Sequence, residues 1–158
     1  MYPWFDAINK HISGRQLTGR LHHALLFHGP RGIGKTGFAR ELSQTLLCRQ
    51  ADSLGSCKTC QSCQLFDAGS HPDYQLVESD KQIGVDKIRS AIGRLNGTAQ
   101  LGGNKALVIA GADTMTEAAS NALLKTLEEP TSNTYLILVA QKQTDMLPTI
   151  LSRCEKIG

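Results

Sequence analysis

Long apolar runs are missing from this sequence: none approaches the roughly 20 residues that a membrane-spanning helix needs. A charge excess is missing too. Lys and Arg number 17 against 14 Asp and Glu, and a net charge of +3 is too small to argue for a nucleic-acid partner by itself. Aromatic residues make up only 5% and prolines number five, yet 41% hydrophobic and 20% charged residues are ordinary for a globular protein, which removes disordered and fibrous classes. No internal repeat or low-complexity tract is present. Met1-Tyr2-Pro3-Trp4 lacks the basic-then-apolar order of a secretory signal, so the expected location is cytoplasmic, with no membrane partner. In that compartment the five cysteines are expected as metal ligands or thiols rather than as a disulfide framework. The 158 residues suit one domain with a full core.

What is present is organised around Gly29-Pro30-Arg31-Gly32-Ile33-Gly34-Lys35-Thr36, which fits the phosphate-loop pattern G-x-x-x-x-G-K-[ST] at every constrained position. Gly29, Gly32 and Gly34 let the backbone turn its N–H groups inward on an anion, Lys35 can reach the β and γ phosphates, and the Thr36 hydroxyl can ligate Mg²⁺. ATP or ADP with Mg²⁺ is therefore a candidate ligand. The context agrees: Ala24 to Phe27 reads as a buried strand, and Phe38, Leu42 and Leu46 recur at helical spacing over a helix from about Thr36 to Cys48. His22 and His23, just before the strand, read as surface residues.

Around the loop the pattern alternates strand and helix. Trp4, Phe5, Ile8, Ile12 and Leu17 suggest an N-terminal helix over residues 1 to about 20. Residues 49 to about 70 lose apolar periodicity, gain cysteine, glycine and serine, and read as an insertion that a metal could organise. Tyr74 to Val77 is expected as a strand after the turn residues His71, Pro72 and Asp73, and Val85, Ile88, Ile92 and Leu95 mark one face of a helix ended by Asn96-Gly97. Ala106 to Ala110 and Tyr135 to Ala140 are continuous apolar runs, as parallel strands covered on both faces require. Between them a helix is expected with Thr114 and Glu117 as a capping box, Ala119, Ala122, Leu123 and Leu127 as its buried stripe, and Pro130 as its stop. Residues 152–158 begin one more strand, and no closing element follows, so the sequence reads as truncated. The sum is an α/β, three-layer α-β-α domain with a mostly parallel sheet.

Cys57, Cys60 and Cys63 form a C-x₂-C-x₂-C run, and Cys48 precedes it across residues 49–56, giving four thiolates for one tetrahedral site. Zinc is the expected metal, within a small module at about residues 48–70. A bacterial ferredoxin run also begins this way, but no cysteine follows three residues later and no Cys-Pro closes it. Four free thiols, some of them buried as small hydrophobes, are the remaining alternative. Four protein ligands leave no open position, so the metal would be structural.

A phosphate-loop ATPase also needs an acid at the end of a second apolar strand to hold Mg²⁺, usually followed by a Glu that polarises the attacking water. Here the strand ends in Ala110-Gly111, and the next acid is Asp113. At about 3.3 Å per extended residue Asp113 would lie up to roughly 10 Å further out, unless the chain folds back. Losing a group that stabilises developing charge costs a factor of about 10² to 10³ in rate, so nucleotide binding with negligible hydrolysis is expected.

Asn121-Ala122-Leu123-Leu124-Lys125-Thr126-Leu127-Glu128-Glu129-Pro130, followed by Ser152-Arg153-Cys154, resembles the clamp-loader branch of the AAA+ ATPases, and the cysteine module and acid-free strand end resemble its non-hydrolysing subunit type. The resemblance covers essentially the whole chain, 1–158, as a nucleotide-binding-type domain, with the helical lid and collar of that branch absent. It implies a subunit of the DNA polymerase III holoenzyme, a nucleotidyltransferase, that assists ATP-dependent loading of the sliding clamp onto primed DNA. Its partners would be the other loader subunits, gamma/tau and delta, and through them the clamp and DNA. It further implies that Arg153 reaches in trans into a neighbouring ATPase site, where a planar, permanently charged guanidinium suits the γ-phosphate. Read without the resemblance, Arg153 is a surface or salt-bridged arginine near a strand edge, and Lys125, Glu128 and Glu129 form a solvated helix face. Many members of the non-hydrolysing type have a degraded phosphate loop, whereas Gly29 to Thr36 is intact. Two alternatives stand beside this reading: an active motor resembling gamma and tau, with Lys35 and Thr36 catalytic, and a zinc-dependent nucleic-acid-binding module. The latter has only Arg49 and Lys58 near the cysteines to follow phosphates.

Overall fold

A computed structural model describes residues 24–28, 37, 39–40, 43–44, 47, 60–69, 71–78, 81–95, 105–128, 134–141 and 146–157. The phosphate loop, Cys48, Cys57, the N-terminal helix expected over 1–20, Asn96-Gly97 and Pro130 lie outside them.

Among the described residues, five parallel strands form one sheet: β1 (Ala24–His28), β2 (Tyr74–Val77), β3 (Lys105–Ala110), β4 (Thr134–Ala140) and β5 (Glu155–Ile157), in the order β2-β3-β4-β1-β5. The register is continuous across the centre, with Leu25 opposite Ile137 and Leu107 opposite Leu136. The apolar runs at β3 and β4 are a consequence of this placement, since a parallel strand with neighbours on both sides has no solvent face. The short strand expected after residue 152 is β5, which pairs with β1.

Alternate residues divide the core into two layers. Leu26, Leu107, Ile109, Leu136 and Leu138 face a layer made by α2 (Val85–Leu95), α3 (Glu117–Glu128) and the single turn α4 (Pro148–Leu151). Ile88, Ala91 and Leu95 of α2 and Ala119, Leu123 and Leu127 of α3 are the buried stripes, and Ile150 closes the layer from α4. Leu25, Phe27, Val108, Ile137 and Val139 point the other way, onto helical Ala39, so helices cover both faces. Each fully buried Leu or Ile contributes about 1.5–3 kcal/mol.

The structure adds two short helices to the expected elements and corrects one cap. Residues 61–67 form a helix, α1 (Gln61–Asp67), inside the segment read as an insertion, where the sequence pattern did not single one out. Phe66 anchors it, its ring centroid 4.6 Å from that of Tyr74 on β2, while the Gln44 side-chain amide donates to the Asp67 carboxylate at 3.0 Å. The helix α3 is capped by Thr116, not Thr114: the Thr116 Oγ1 accepts from the Ala119 N–H at 3.1 Å, in the first turn. Thr114 belongs instead to a 3₁₀ turn, Ala112–Thr114, with its hydroxyl on the Gly111 carbonyl at 2.6 Å. The one-turn α4 was not expected at all. It begins with Pro148 at N1, where the missing N–H costs nothing.

Lys105 opens β3 with its side chain buried, and its ammonium donates to the Leu95 carbonyl at the end of α2. A cation at a helix C-terminus satisfies an orphan carbonyl and suits the helix dipole. Burial lowers the pKa of Lys105 from its ordinary value, and the Asp73 carboxylate opposes that. His71 and Asp73 form the turn before β2, with His71 Nδ1 accepting from the Asp73 N–H at 3.0 Å.

Candidate functional site

The sheet order decides where a phosphate ligand would meet the strands. The loop follows β1, and β4 separates β1 from β3, so the end of β3 stands two strand spacings, about 10 Å, from the end of β1. Ligands of open parallel sheets bind outside the carboxyl ends of the strands. The end of β4 therefore stands between the ends of β1 and β3, and the exposed Gln141 that follows it is a residue which spacing alone did not single out.

At the end of β3 the chain turns at once. Gly111 has φ 80° and ψ 39°, its N–H donates to the Val139 carbonyl at 2.9 Å, and its own carbonyl receives the Thr114 N–H at 2.8 Å. The extended path to Asp113 does not occur, because the chain turns at Gly111 into the 3₁₀ turn Ala112–Thr114, whose first turn contains Asp113. No carboxylate stands on Ala110 or Gly111, and a Cβ built at Gly111 would meet Thr114 Oγ1 at 3.4 Å, in a backbone region that L-residues rarely adopt.

Arg153 and Glu128, which lie in the two separate signature segments, are in contact. Arg153 Nη2 is 2.8 Å from Glu128 Oε1 at the end of α3, and Nη1 donates to the Thr149 carbonyl at 2.9 Å and the Ser152 hydroxyl at 3.0 Å. Both side chains are partly exposed, Arg153 at 34% and Glu128 at 44%. The next residue, Cys154, is buried in the core, so the turn is held in place from below. A salt-bridged arginine beside a strand edge is thus realised in this chain, with the guanidinium at the surface.

Of the four expected metal ligands, Cys60 and Cys63 are described. Cys60 is the N-cap residue of α1 and Cys63 is buried in its first turn, a spacing that brings both onto one side of the helix start. That arrangement fits half of a tetrahedral thiolate site. Among the described residues no group of three or more His, Cys, Asp or Glu could hold a metal. A groove of about 520 Å³ between β2 and α2, bordered by Leu76, Lys87 and Arg94, lies at the edge of the described sheet, three strand spacings from β1, and includes none of the predicted site residues. No helix among the described residues is long and apolar enough to cross a membrane.

A parallel sheet in the order 2-3-4-1-5, covered by helices on both faces, with the phosphate-loop sequence placed after β1, defines the AAA+ class of P-loop domains. Solved structures agree on the fold. The chain superposes on a DNA polymerase III gamma subunit-related protein from Thermotoga maritima with a TM-score of 0.65 at 20% identity, covering 96% of this chain and 44% of that one. It superposes on the Thermotoga maritima RuvB Holliday junction branch migration motor with a TM-score of 0.58 at 13% identity, covering 99% and 44%. The chain belongs to the family described as DNA polymerase III, delta subunit, whose model matches residues 6–158. Among its relatives are the DNA polymerase III delta' (delta-prime) subunits of Pseudomonas aeruginosa, 43% identical over 157 residues (98% of this chain, 47% of the relative), and of Escherichia coli K12, 40% identical over 156 residues (97% and 47%). The Bacillus subtilis delta' subunit is 35% identical over 139 residues, covering 87% and 42%. The chain spans about half the length of the curated relatives it matches.

Proposed function

We propose that this chain is the nucleotide-binding-type domain of a delta-prime clamp-loader subunit. The proposed subunit is cytoplasmic, does not hydrolyse ATP itself, and supplies Arg153 in trans to a neighbouring ATPase subunit. The observation that carries the reading is the end of β3, where the strand stops at Ala110 and turns through left-handed Gly111, with no carboxylate on either residue. Without that acid a loop that binds nucleotide lacks the group that would hold Mg²⁺ and polarise water. Any nucleotide held by Gly29, Gly32, Gly34, Lys35 and Thr36 then acts as a structural ligand. The partners follow from the family: loader subunits of the gamma/tau and delta kinds and, through the assembly, the sliding clamp and primed DNA. The relatives' greater length leaves room for the lid and collar outside these residues.

The metal belongs to the same proposal. Cys48, Cys57, Cys60 and Cys63 would hold a structural Zn²⁺ that fixes residues 48–70, with Cys60 and Cys63 contributed by the start of α1.

The test is the loader reconstituted with the whole subunit carrying Arg153→Ala. DNA-stimulated ATP turnover falls at the site that Arg153 faces, while the same subunit with Lys35→Ala keeps the complex active. Unchanged turnover in Arg153→Ala overturns the trans role. Turnover lost with Lys35→Ala in this subunit alone would make it a motor of the gamma and tau kind.

A further inference from the structure

Arg153 is held by its own domain from two sources that differ in kind. The Thr149 carbonyl and the Ser152 hydroxyl belong to the turn that carries the arginine, and Ser152 Oγ itself donates to the Thr149 carbonyl at 3.0 Å. Glu128 comes from elsewhere, the last residue of α3, whose Leu123 and Leu127 are fixed in the core. The carboxylate is thus the contact that refers the guanidinium to the body of the domain rather than to its own loop.

We propose that Glu128 is a positioning residue for Arg153, setting the plane and direction in which the guanidinium is offered to a polyanionic phosphate on a neighbouring subunit. The inference rests on the reading that Arg153 acts in trans. Guanidinium carries five N–H donors, and its contacts among the described residues use three, so two remain to meet phosphate oxygens without breaking the pair. An ion pair this exposed is a weak tie, too weak to withhold an arginine from a phosphate that bears several negative charges. Its useful effect is on direction. A long side chain already ordered in the unassembled subunit has less rotamer freedom to lose when the interface forms, and a donor aimed beforehand costs no reorganisation during phosphoryl transfer. The backbone supports the aim as well: the Arg153 N–H donates to the Ile150 carbonyl at 3.1 Å, and the buried Ile150 and Cys154 hold the turn on either side.

The experiment uses the complete loader with the whole subunit as wild type, Glu128→Ala, Glu128→Gln, Arg153→Ala and the double variant Glu128→Ala/Arg153→Ala. It measures kcat and KM for ATP with primed DNA and clamp present. Misplaced donors cost up to about 100-fold in rate, and a partly mobile arginine is expected to cost roughly 3- to 10-fold in kcat at the site it faces. KM for ATP stays unchanged, Glu128→Gln retains most of the activity through its amide oxygen, and Glu128→Ala causes no further loss once Arg153 is gone. A loss of equal size in the Arg153→Ala background overturns the proposal, because Glu128 would then act independently. Wild-type kcat in Glu128→Ala alongside a deficient Arg153→Ala overturns the positioning role and leaves the trans arginine standing. Wild-type kcat in Arg153→Ala removes both.

Discussion

The end of β3 and the turn before β5 both lie in segments on which the sequence resemblance rests, yet they are built in opposite ways. At the end of β3 the path is set by backbone and a short hydroxyl: Gly111 bonds to the Val139 carbonyl and receives both the N–H and the hydroxyl of Thr114, and neither Ala110 nor Gly111 carries a charge. At the turn before β5 charged side chains meet, Arg153 on Glu128, over a buried Cys154. A geometry made by backbone resists repair by side-chain substitution, whereas one made by side chains can be dismantled one residue at a time. On the proposed function the first region has given up chemistry and the second exports it.

The sharpest way to break the contrast is to exchange the expected importance of the two regions. Arginines supplied in trans raise phosphoryl-transfer rates by about 10³ to 10⁵, so Arg153→Ala is expected to lose that much at the site it faces. Single-turnover ATP hydrolysis by the reconstituted loader measures it. Lys35→Ala, in the loop whose partner acid is missing, leaves turnover nearly intact. Next in size is the attempt to restore the acid. Ala110→Asp with Gly111→Glu yields no turnover attributable to this subunit and destabilises the domain by about 1–3 kcal/mol, since Glu would occupy a left-handed position. Urea unfolding read by circular dichroism gives the second number, and robust hydrolysis would erase the contrast.

Smaller effects test how α3 links the regions, for it starts beside the Gly111 turn and ends at Glu128. Thr116→Ala removes the side-chain cap and is expected to cost about 1 kcal/mol in urea unfolding, with Thr116→Asn restoring most of it. Thr114→Ala leaves the cap in place. Smallest is a pH effect at the start of β2. Burial lowers the pKa of His71, against the pull of Asp73, so between its folded value and about 6.5 the unfolded chain binds the proton more readily. The stability it contributes is complete above that ordinary value and declines as the pH falls through the folded one. His71→Asn, which keeps an acceptor for the Asp73 N–H, flattens the decline in melting temperature between pH 7 and pH 5 without touching either signature region.

Much of the fold was legible because its strands are buried on both faces: the runs at 106–110 and 135–140 left little choice but parallel strands, and the stripe Ile88, Ile92, Leu95 carried the period of α2. The helix α1 escaped because seven residues with Cys63 and Phe66 as the buried pair are too short for periodicity to register. The cap at α3 was misplaced by two residues for a chemical reason: Thr114 and Glu117 have the spacing of a reciprocal box, while Thr116 caps with its hydroxyl alone. The contact between Glu128 and Arg153 joins residues far apart in the chain, beyond the reach of any spacing rule. Its one sequence signal was that each residue sits in a segment carrying the family resemblance.

Gly111 also constrains the history open to this chain. An acid at position 110 is one substitution away, but an acid at 111 calls for an L-residue where φ is 80° and where Thr114 closes the turn onto the strand end. The neighbouring turn would have to be rebuilt before such a side chain brought any benefit, and each intermediate would carry the strain without the reward. The end of β3 therefore acts as a ratchet. On the proposed function, independent hydrolysis at this site would have to begin with a change of backbone at Gly111.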